Sequence, residues 1–220
     1  THKKRGIFFW LRLSGGAGFF VSVNIKVKDW KYKGERLVAD CRVFKVKAKT
    51  FAHPDGRSGE FFVNESPDWV QTAALIRDGK SGKIKTVLVE QFRFGTQRTS
   101  WEFPGGIMEK GETPLESAAR ELLEETGYAG KKAKLAASYS PNPAIQNNFA
   151  HFVIIDGCEK IAGVNWDENE ELKIKIVDVE KLDSMVKSGK IYHSIAINSV
   201  YFLQKYLLSA KKKPEKSDSK

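Results

Sequence analysis

The 220-residue sequence predicts a small antiparallel β unit followed by an α/β domain. Three observations lead there: β-prone runs bounded by turns fill the first third, one well-signalled helix lies at 114–126, and strands mixed with helical patterns follow to about residue 208.

Phe44-Lys-Val-Lys-Ala-Lys49 alternates apolar with charged residues, as a half-buried strand does. His53-Pro-Asp-Gly56 reads as a turn and Glu60-Phe-Phe-Val-Asn64 as the returning strand. Trp69 to Ile76 and Thr86 to Phe94 predict two more strands, joined across Asp78-Gly79. Beyond the helix, strands are expected at about 133–139, 149–155 and 172–178, then helices at about 179–188 and 194–208. No internal repeat is evident.

The chain carries 37 Lys+Arg against 27 Asp+Glu, a net charge of +10. At face value this points to nucleic acid or an acidic membrane surface. The distribution argues otherwise: residues 1–49 carry +10, residues 50–209 carry −3 and residues 210–220 carry +3. The basic excess therefore sits in the two ends. With 41 % hydrophobic and 11 % aromatic residues, wholesale disorder is excluded. Two cysteines, Cys41 and Cys158, exclude a disulfide scaffold and make a reducing cytoplasm the expected compartment.

The start, Thr1-His-Lys-Lys-Arg-Gly followed by Ile7-Phe-Phe-Trp-Leu, has the charged-then-apolar look of an export signal. Arg12, Asn24 and Lys26 interrupt any run of the roughly 20 apolar residues that a spanning helix needs. The expectation is an extension of little structure, ahead of an interfacial anchor or a leader. The end, Lys211 to Lys220, has no core-forming residues.

The helix at 114–126 has a full set of signals. Thr113 is placed to be its N-cap, Pro114 takes the first helical position, Glu116 completes a capping box and Gly127 ends it. At about 100° per residue, Leu115, Ala119, Leu122 and Thr126 fall on one side, the expected buried face. Glu121, Glu124 and Glu125 gather on another side. Like charges at such spacing destabilise a helix by a few tenths of a kcal/mol, and acidic residues late in a helix oppose its dipole. A solvated acidic face with Arg120 as partial neutraliser is one explanation. The other is a hard cation, Mg²⁺ or Mn²⁺, held with help from Glu109 and Glu112 on the preceding Gly-Gly turn.

The run Gly106-x5-Glu112-x7-Arg120-Glu121-Leu122-x-Glu124-Glu125-x-Gly127-Tyr128 resembles the Nudix box across its 23 residues. It departs only at Tyr128, where that family usually has a bulky aliphatic residue. The resemblance implies a Nudix-type α/β/α sandwich with a mixed sheet, and hydrolysis of a nucleoside diphosphate linked to another moiety. It implies that Glu121, Glu124 and Glu125 bind metal with a Gly105 carbonyl, and that Glu121 is part of the catalytic set. Gly106, Glu112, Arg120 and Gly127 would be structural.

Outside the box, residues 36–208 resemble the ADP-ribose and nucleoside diphosphate sugar pyrophosphatase branch. Val89-Glu-Gln-Phe-Arg93 and Trp101-Glu-Phe-Pro-Gly-Gly106 carry that likeness. By it, Arg93 contacts the diphosphate and Glu102 orients Arg93 or assists at the metals; the alternative is a plain surface pair between the two. Glu168-Asn-Glu-Glu-Leu172 resembles the loop that supplies the branch's base, with Glu168 as base and Glu170 as helper. Trp69 and His151 are expected to pack, and His193 to cap the last helix or line an interface.

The resemblance divides the chain into an extension at 1–28, a β unit at 29–66 serving a homodimer, a Nudix domain at 67–209 and a disordered tail at 210–220. The expected activity is Mg²⁺-dependent hydrolysis of ADP-ribose or a related nucleoside diphosphate sugar, with a small-molecule substrate, no nucleic acid and no stable membrane insertion. The alternatives are a nucleoside triphosphate or capped-RNA hydrolase, and a catalytically silent nucleotide-binding protein. The intact box argues against the last.

Overall fold

The computed structural model describes residues 7–12, 18–23, 26–79, 82–166 and 171–211. The chain divides into two compact units: Thr1–Val38 with Lys47–Phe62, and Ala39–Val46 with Val63–Lys220.

In the first unit, strands β1 (Ile7–Arg12) and β2 (Gly18–Val23) pair antiparallel, Ile7 opposite Val23 and Arg12 opposite Gly18. An extension of little structure was the expectation here. Two short apolar, β-prone runs on either side of glycines suit a hairpin instead. Strands β3 (Lys31–Asp40), β4 (Lys45–Ala52) and β5 (Ser58–Glu65) form a separate sheet in the order β3-β4-β5. The predicted His53–Gly56 turn joins the last two, with Gly56 at φ 97 and its N–H donating to the His53 carbonyl. Trp30 meets Phe61 edge-on, and Phe61 in turn meets Phe51.

The second unit is built on a six-stranded sheet. Its strands are β6 (Trp69–Arg77), β7 (Ile84–Arg93), β8 (Arg98–Glu102), β10 (Lys132–Tyr139), β11 (Ala150–Asp156) and β13 (Lys173–Asp178). The order is β10-β11-β6-β7-β13, with β8 also on β7. The β11–β6 pair is parallel and the others are antiparallel, so the sheet is mixed. Two-residue strands β9 (Tyr128–Ala129) and β12 (Glu159–Lys160) pair separately. Strand β8 has no counterpart in the expected elements: Arg-Thr-Ser-Trp-Glu is short and lacks a clean alternation.

Alternation along the strands feeds two cores, one on each face of the sheet. Ala73, Leu75, Leu88, Phe152 and Ile154 pack with Leu182, Ile191, Ala196, Val200 and Leu203. Their neighbours Val70, Ala74, Val87, Val153 and Ile155 pack with Ala118 and Leu122. One face is thus covered by helix α1 (Pro114–Thr126), the other by α2 (Leu182–Lys187) and α3 (Ser194–Lys211). The result is the expected α/β/α sandwich. The predicted helix at 179–188 divides into a 3-10 turn, Val179–Lys181, and α2. Among the described residues no helix is long and apolar enough to cross a membrane.

Candidate active site

Helix α1 starts as its signals predict. Thr113 accepts a hydrogen bond from the Glu116 N–H at 3.3 Å, and Glu116 accepts one from the Thr113 N–H at 2.8 Å. Gly127 ends the helix at φ 73, and a Cβ there would lie 2.2 Å from the Ala162 carbonyl oxygen.

Its buried face is the expected one only in part: Leu122 and Thr126 are buried as expected. Leu115 and Ala119 are exposed, whereas Ser117, Ala118, Leu122, Glu125 and Thr126 are buried. Hydrophobicity alone misjudged the helix's rotation. Small side chains face the sheet and let the helix sit close, with Thr72 Oγ1 donating to the Ala118 carbonyl at 3.2 Å. Glu125 is only 3 % exposed, which excludes for it the solvated acidic face, one of the two explanations open from the sequence.

A glycine turn explains why a glutamate can point inward. The Pro104 and Gly106 carbonyls accept hydrogen bonds from Thr72 and Val70 of β6. Backbone alternation then turns the Gly105 peptide groups the other way, where its N–H donates to Glu125 Oε2 at 2.9 Å. Gly105 has φ 154, and a Cβ on it would stand 2.0 Å from the Val70 carbonyl oxygen. A Cβ on Gly106 would stand 2.6 Å from Glu121 Oε1. The two glycines therefore make room for β6 on one side and the Glu121 carboxylate on the other.

Arg120 clamps this turn to the helix. Its Nε and Nη2 hold Glu112 at 2.7 and 2.9 Å, Nη1 reaches Glu121 at 2.9 Å and Glu124 at 3.1 Å, and Nη2 reaches the Ile107 carbonyl at 3.3 Å. The Arg120 hydrogen bonds hold the Glu112 carboxyl down at about 2, and Glu112 in turn raises Arg120 above its usual range.

A second polar cluster joins β7, β8 and the start of α3. Arg93 grips Glu102 in a two-bond fork, Nε to Oε1 at 2.8 Å and Nη2 to Oε2 at 2.7 Å. Glu102 is fully buried, and its Oε2 also receives His193 Nδ1 at 2.5 Å and Gln71 Nε2 at 3.4 Å. Burial by itself pushes this carboxyl up, but Arg93 and His193 outweigh it and hold it at about 2. Burial likewise works against the Arg93 charge, and the Glu102 pair more than restores it. Ser199 of α3 completes the chain by donating to Gln71 Oε1 at 3.0 Å.

The structure thus brings Glu121 and Glu125 onto the Gly105-Gly106 turn, with the more exposed Glu124 beside them on Arg120. Among the described residues no three acidic, histidine or cysteine side chains converge as a ready metal cage. The donor set still fits a hard divalent cation: three carboxylates on one helix, two of them pressed against a turn too tight for any side chain. Glu168 and Glu170 lie outside the described residues. His151, on β11, meets Ser138 Oγ through Nδ1 at 2.8 Å and Asp68 Oδ2 through Nε2 at 3.2 Å.

Sequence reasoning missed two features. His193 opens the last helix, its carbonyl accepting from the Ile197 N–H in line with the capping expectation, but its side chain also binds Glu102, 91 residues away in sequence. The chain just before residue 167 is fastened to the end of α1: Asn165 N–H donates to the Glu124 carbonyl at 2.8 Å and Trp166 Nε1–H to the Glu125 carbonyl at 3.0 Å. Neither carries a local signal. A cavity of about 670 Å³ beside the Arg93 strand is lined by Glu90, Gln91, Phe92, Phe94, Thr99, Glu171, Leu172 and Lys173.

Comparison with known proteins bears on the family and the fold. The family model described as the NUDIX domain matches residues 68–195. An ADP-ribose pyrophosphatase of Bacillus subtilis (strain 168) is 30 % identical over 72 % of this chain and 84 % of its own. A methanol dehydrogenase activator of Bacillus methanolicus is 29 % identical over 74 % of this chain and 86 % of its own. A crystal structure described as an ADP compounds hydrolase superposes with a TM-score of 0.74, covering 86 % of this chain and all of that one, at 17 % identity. With its box helix, its glycine turn and a domain match over more than half its length, the chain belongs to the NUDIX family of hydrolases.

Proposed function

We propose that the protein hydrolyses the diphosphate bond of ADP-ribose or a related nucleoside diphosphate sugar, with Mg²⁺ or Mn²⁺, giving a nucleoside monophosphate and a sugar phosphate. The observation that carries this reading is the Glu121–Glu125 stripe seated on the Gly105-Gly106 turn. The names of the Bacillus subtilis and Mus musculus relatives, the latter an ADP-sugar pyrophosphatase 30 % identical over 55 % of this chain and 58 % of its own, support the substrate class.

Glu121, Glu124 and Glu125, with the Gly105 carbonyl, would hold the divalent cation. When bound, it neutralises diphosphate charge and makes water more acidic. Arg93 binds the diphosphate, since its side chain keeps 36 % of its surface exposed despite the Glu102 fork. A water attacks one phosphorus, the bridging P–O bond breaks and the bridging oxygen leaves with the other phosphoryl group. Glu168 accepts the water's proton with Glu170 as helper. The chain entering that loop starts from the Glu124 and Glu125 carbonyls, which supports the assignment. We also propose that β3–β5 pair with a second copy of the chain, and that the protein works in the cytoplasm, where Cys41 and Cys158 stay free.

The test is the full chain with Mg²⁺ against ADP-ribose, GDP-mannose, ADP-glucose and a nucleoside triphosphate, with products separated by chromatography. AMP and ribose 5-phosphate from ADP-ribose are expected. Pyrophosphate released from the triphosphate alone overturns the reading in favour of a triphosphate hydrolase. No turnover of any substrate, with tight binding, leaves a silent nucleotide-binding protein.

A further inference from the structure

We propose that His193 is a positioning residue for Arg93, acting through the buried Glu102 carboxylate; the proposal rests on the reading of Arg93 as the diphosphate-binding group. A two-bond fork fixes a guanidinium only as firmly as its carboxylate is fixed. Glu102 is wholly buried, and the Arg93 fork engages both its oxygens. Of the remaining contacts His193 Nδ1 is the short one, at 2.5 Å, against 3.4 Å for Gln71. A carboxylate paired with Arg93 is an acceptor, so in this contact the imidazole donates through Nδ1.

The backbone that delivers His193 is itself stitched to β8. Gly189 turns the chain out of α2 at φ 71, the Lys190 carbonyl accepts from the Trp101 N–H at 3.0 Å, and Tyr192 Oη donates to the Arg98 carbonyl at 3.1 Å. The Arg98 guanidinium lies 3.8 Å over the Tyr192 ring. His193 then opens α3, its carbonyl accepting from the Ile197 N–H. The imidazole thus arrives from a rigid segment, and the fork inherits its orientation. Losing that donor leaves the Glu102–Arg93 fork anchored only by the longer Gln71 contact, which weakens diphosphate binding more than turnover.

The experiment compares the full-length protein with His193→Ala, His193→Asn and His193→Gln. Asparagine places an amide N–H near the Nδ1 position, and glutamine reaches further along the ring. His193→Ala is expected to raise KM for ADP-ribose about 10-fold with kcat within about twofold. Asparagine should restore KM to within about twofold, whereas glutamine should not. A second readout needs no turnover: the Arg93 Nε–Hε resonance, assigned by its loss in Arg93→Lys, should shift or broaden in His193→Ala and return in His193→Asn. Thermal melts identify any variant that fails to fold, and the Asn–Gln contrast between folded proteins then carries the result. An unmoved Arg93 resonance in His193→Ala, or an unchanged KM, overturns the proposal. If the wild type leaves ADP-ribose intact but the resonance moves as stated, the functional reading fails and the positioning role stands.

Discussion

Glu102 shows how much a single buried carboxylate can decide. Its carboxyl is held at about 2, against an ordinary 4.5. The unfolded chain therefore takes up this proton near pH 4.5, while the folded chain resists until about pH 2. The stability it contributes is present above pH 4.5 and is lost as pH falls toward 2. We expect Glu102→Gln to flatten the fall of melting temperature across that window, relative to the wild type, in acid melts followed by circular dichroism. An equal slope in both proteins contradicts the assignment. The partners of Glu102 show why sequence reading stops here. Arg93 and Glu102 lie nine residues apart in sequence, at the ends of consecutive strands, so their pairing was legible as one of two alternatives. His193 comes five strands and two α-helices later in the chain, and nothing near residue 193 marks its destination.

At the scale of elements, α1 was legible at both ends and illegible around its circumference. Thr113, Pro114, Glu116 and Gly127 act on local backbone groups, so local sequence suffices to read them. Thr113→Ala is expected to remove about 1 kcal/mol through the lost cap. For a chain of this size that lowers the melting temperature by about 2–4 °C, and calorimetry with unchanged product specificity would check it. The rotation of the helix depends on partners elsewhere: Thr72 on β6, and a glycine turn that offers an N–H to Glu125. A carboxylate drawn inward by a backbone donor has no signature in a hydrophobic pattern. Strand β8 and the β1–β2 hairpin escaped for a related reason, since short paired runs take their identity from the partner strand.

Over the whole molecule, the α/β/α layering follows from strands whose alternate residues supply two separate cores. The core on the α1 face packs Ala118 and Leu122 against Val70, Ala74, Val87, Val153 and Ile155, so apolar burial anchors the helix. Chelation with EDTA should therefore abolish turnover while leaving the far-ultraviolet spectrum unchanged. Added Mg²⁺ should raise the melting temperature by mass action, and Glu121→Gln should remove that rise. A spectrum that collapses on chelation would mean that the cation is part of the fold.

Arg120 gives this arrangement a further meaning. The guanidinium already lies among Glu112, Glu121 and Glu124, so the acidic helix brings its own counterion. The proposed divalent cation would compete there with Arg120 for Glu121 and Glu124 instead of filling a bare negative hole. Its affinity would then be a difference between two attractions, to the cation and to the guanidinium. Such a site can be assembled during folding, loaded afterwards, and emptied again without unravelling the helix that carries it.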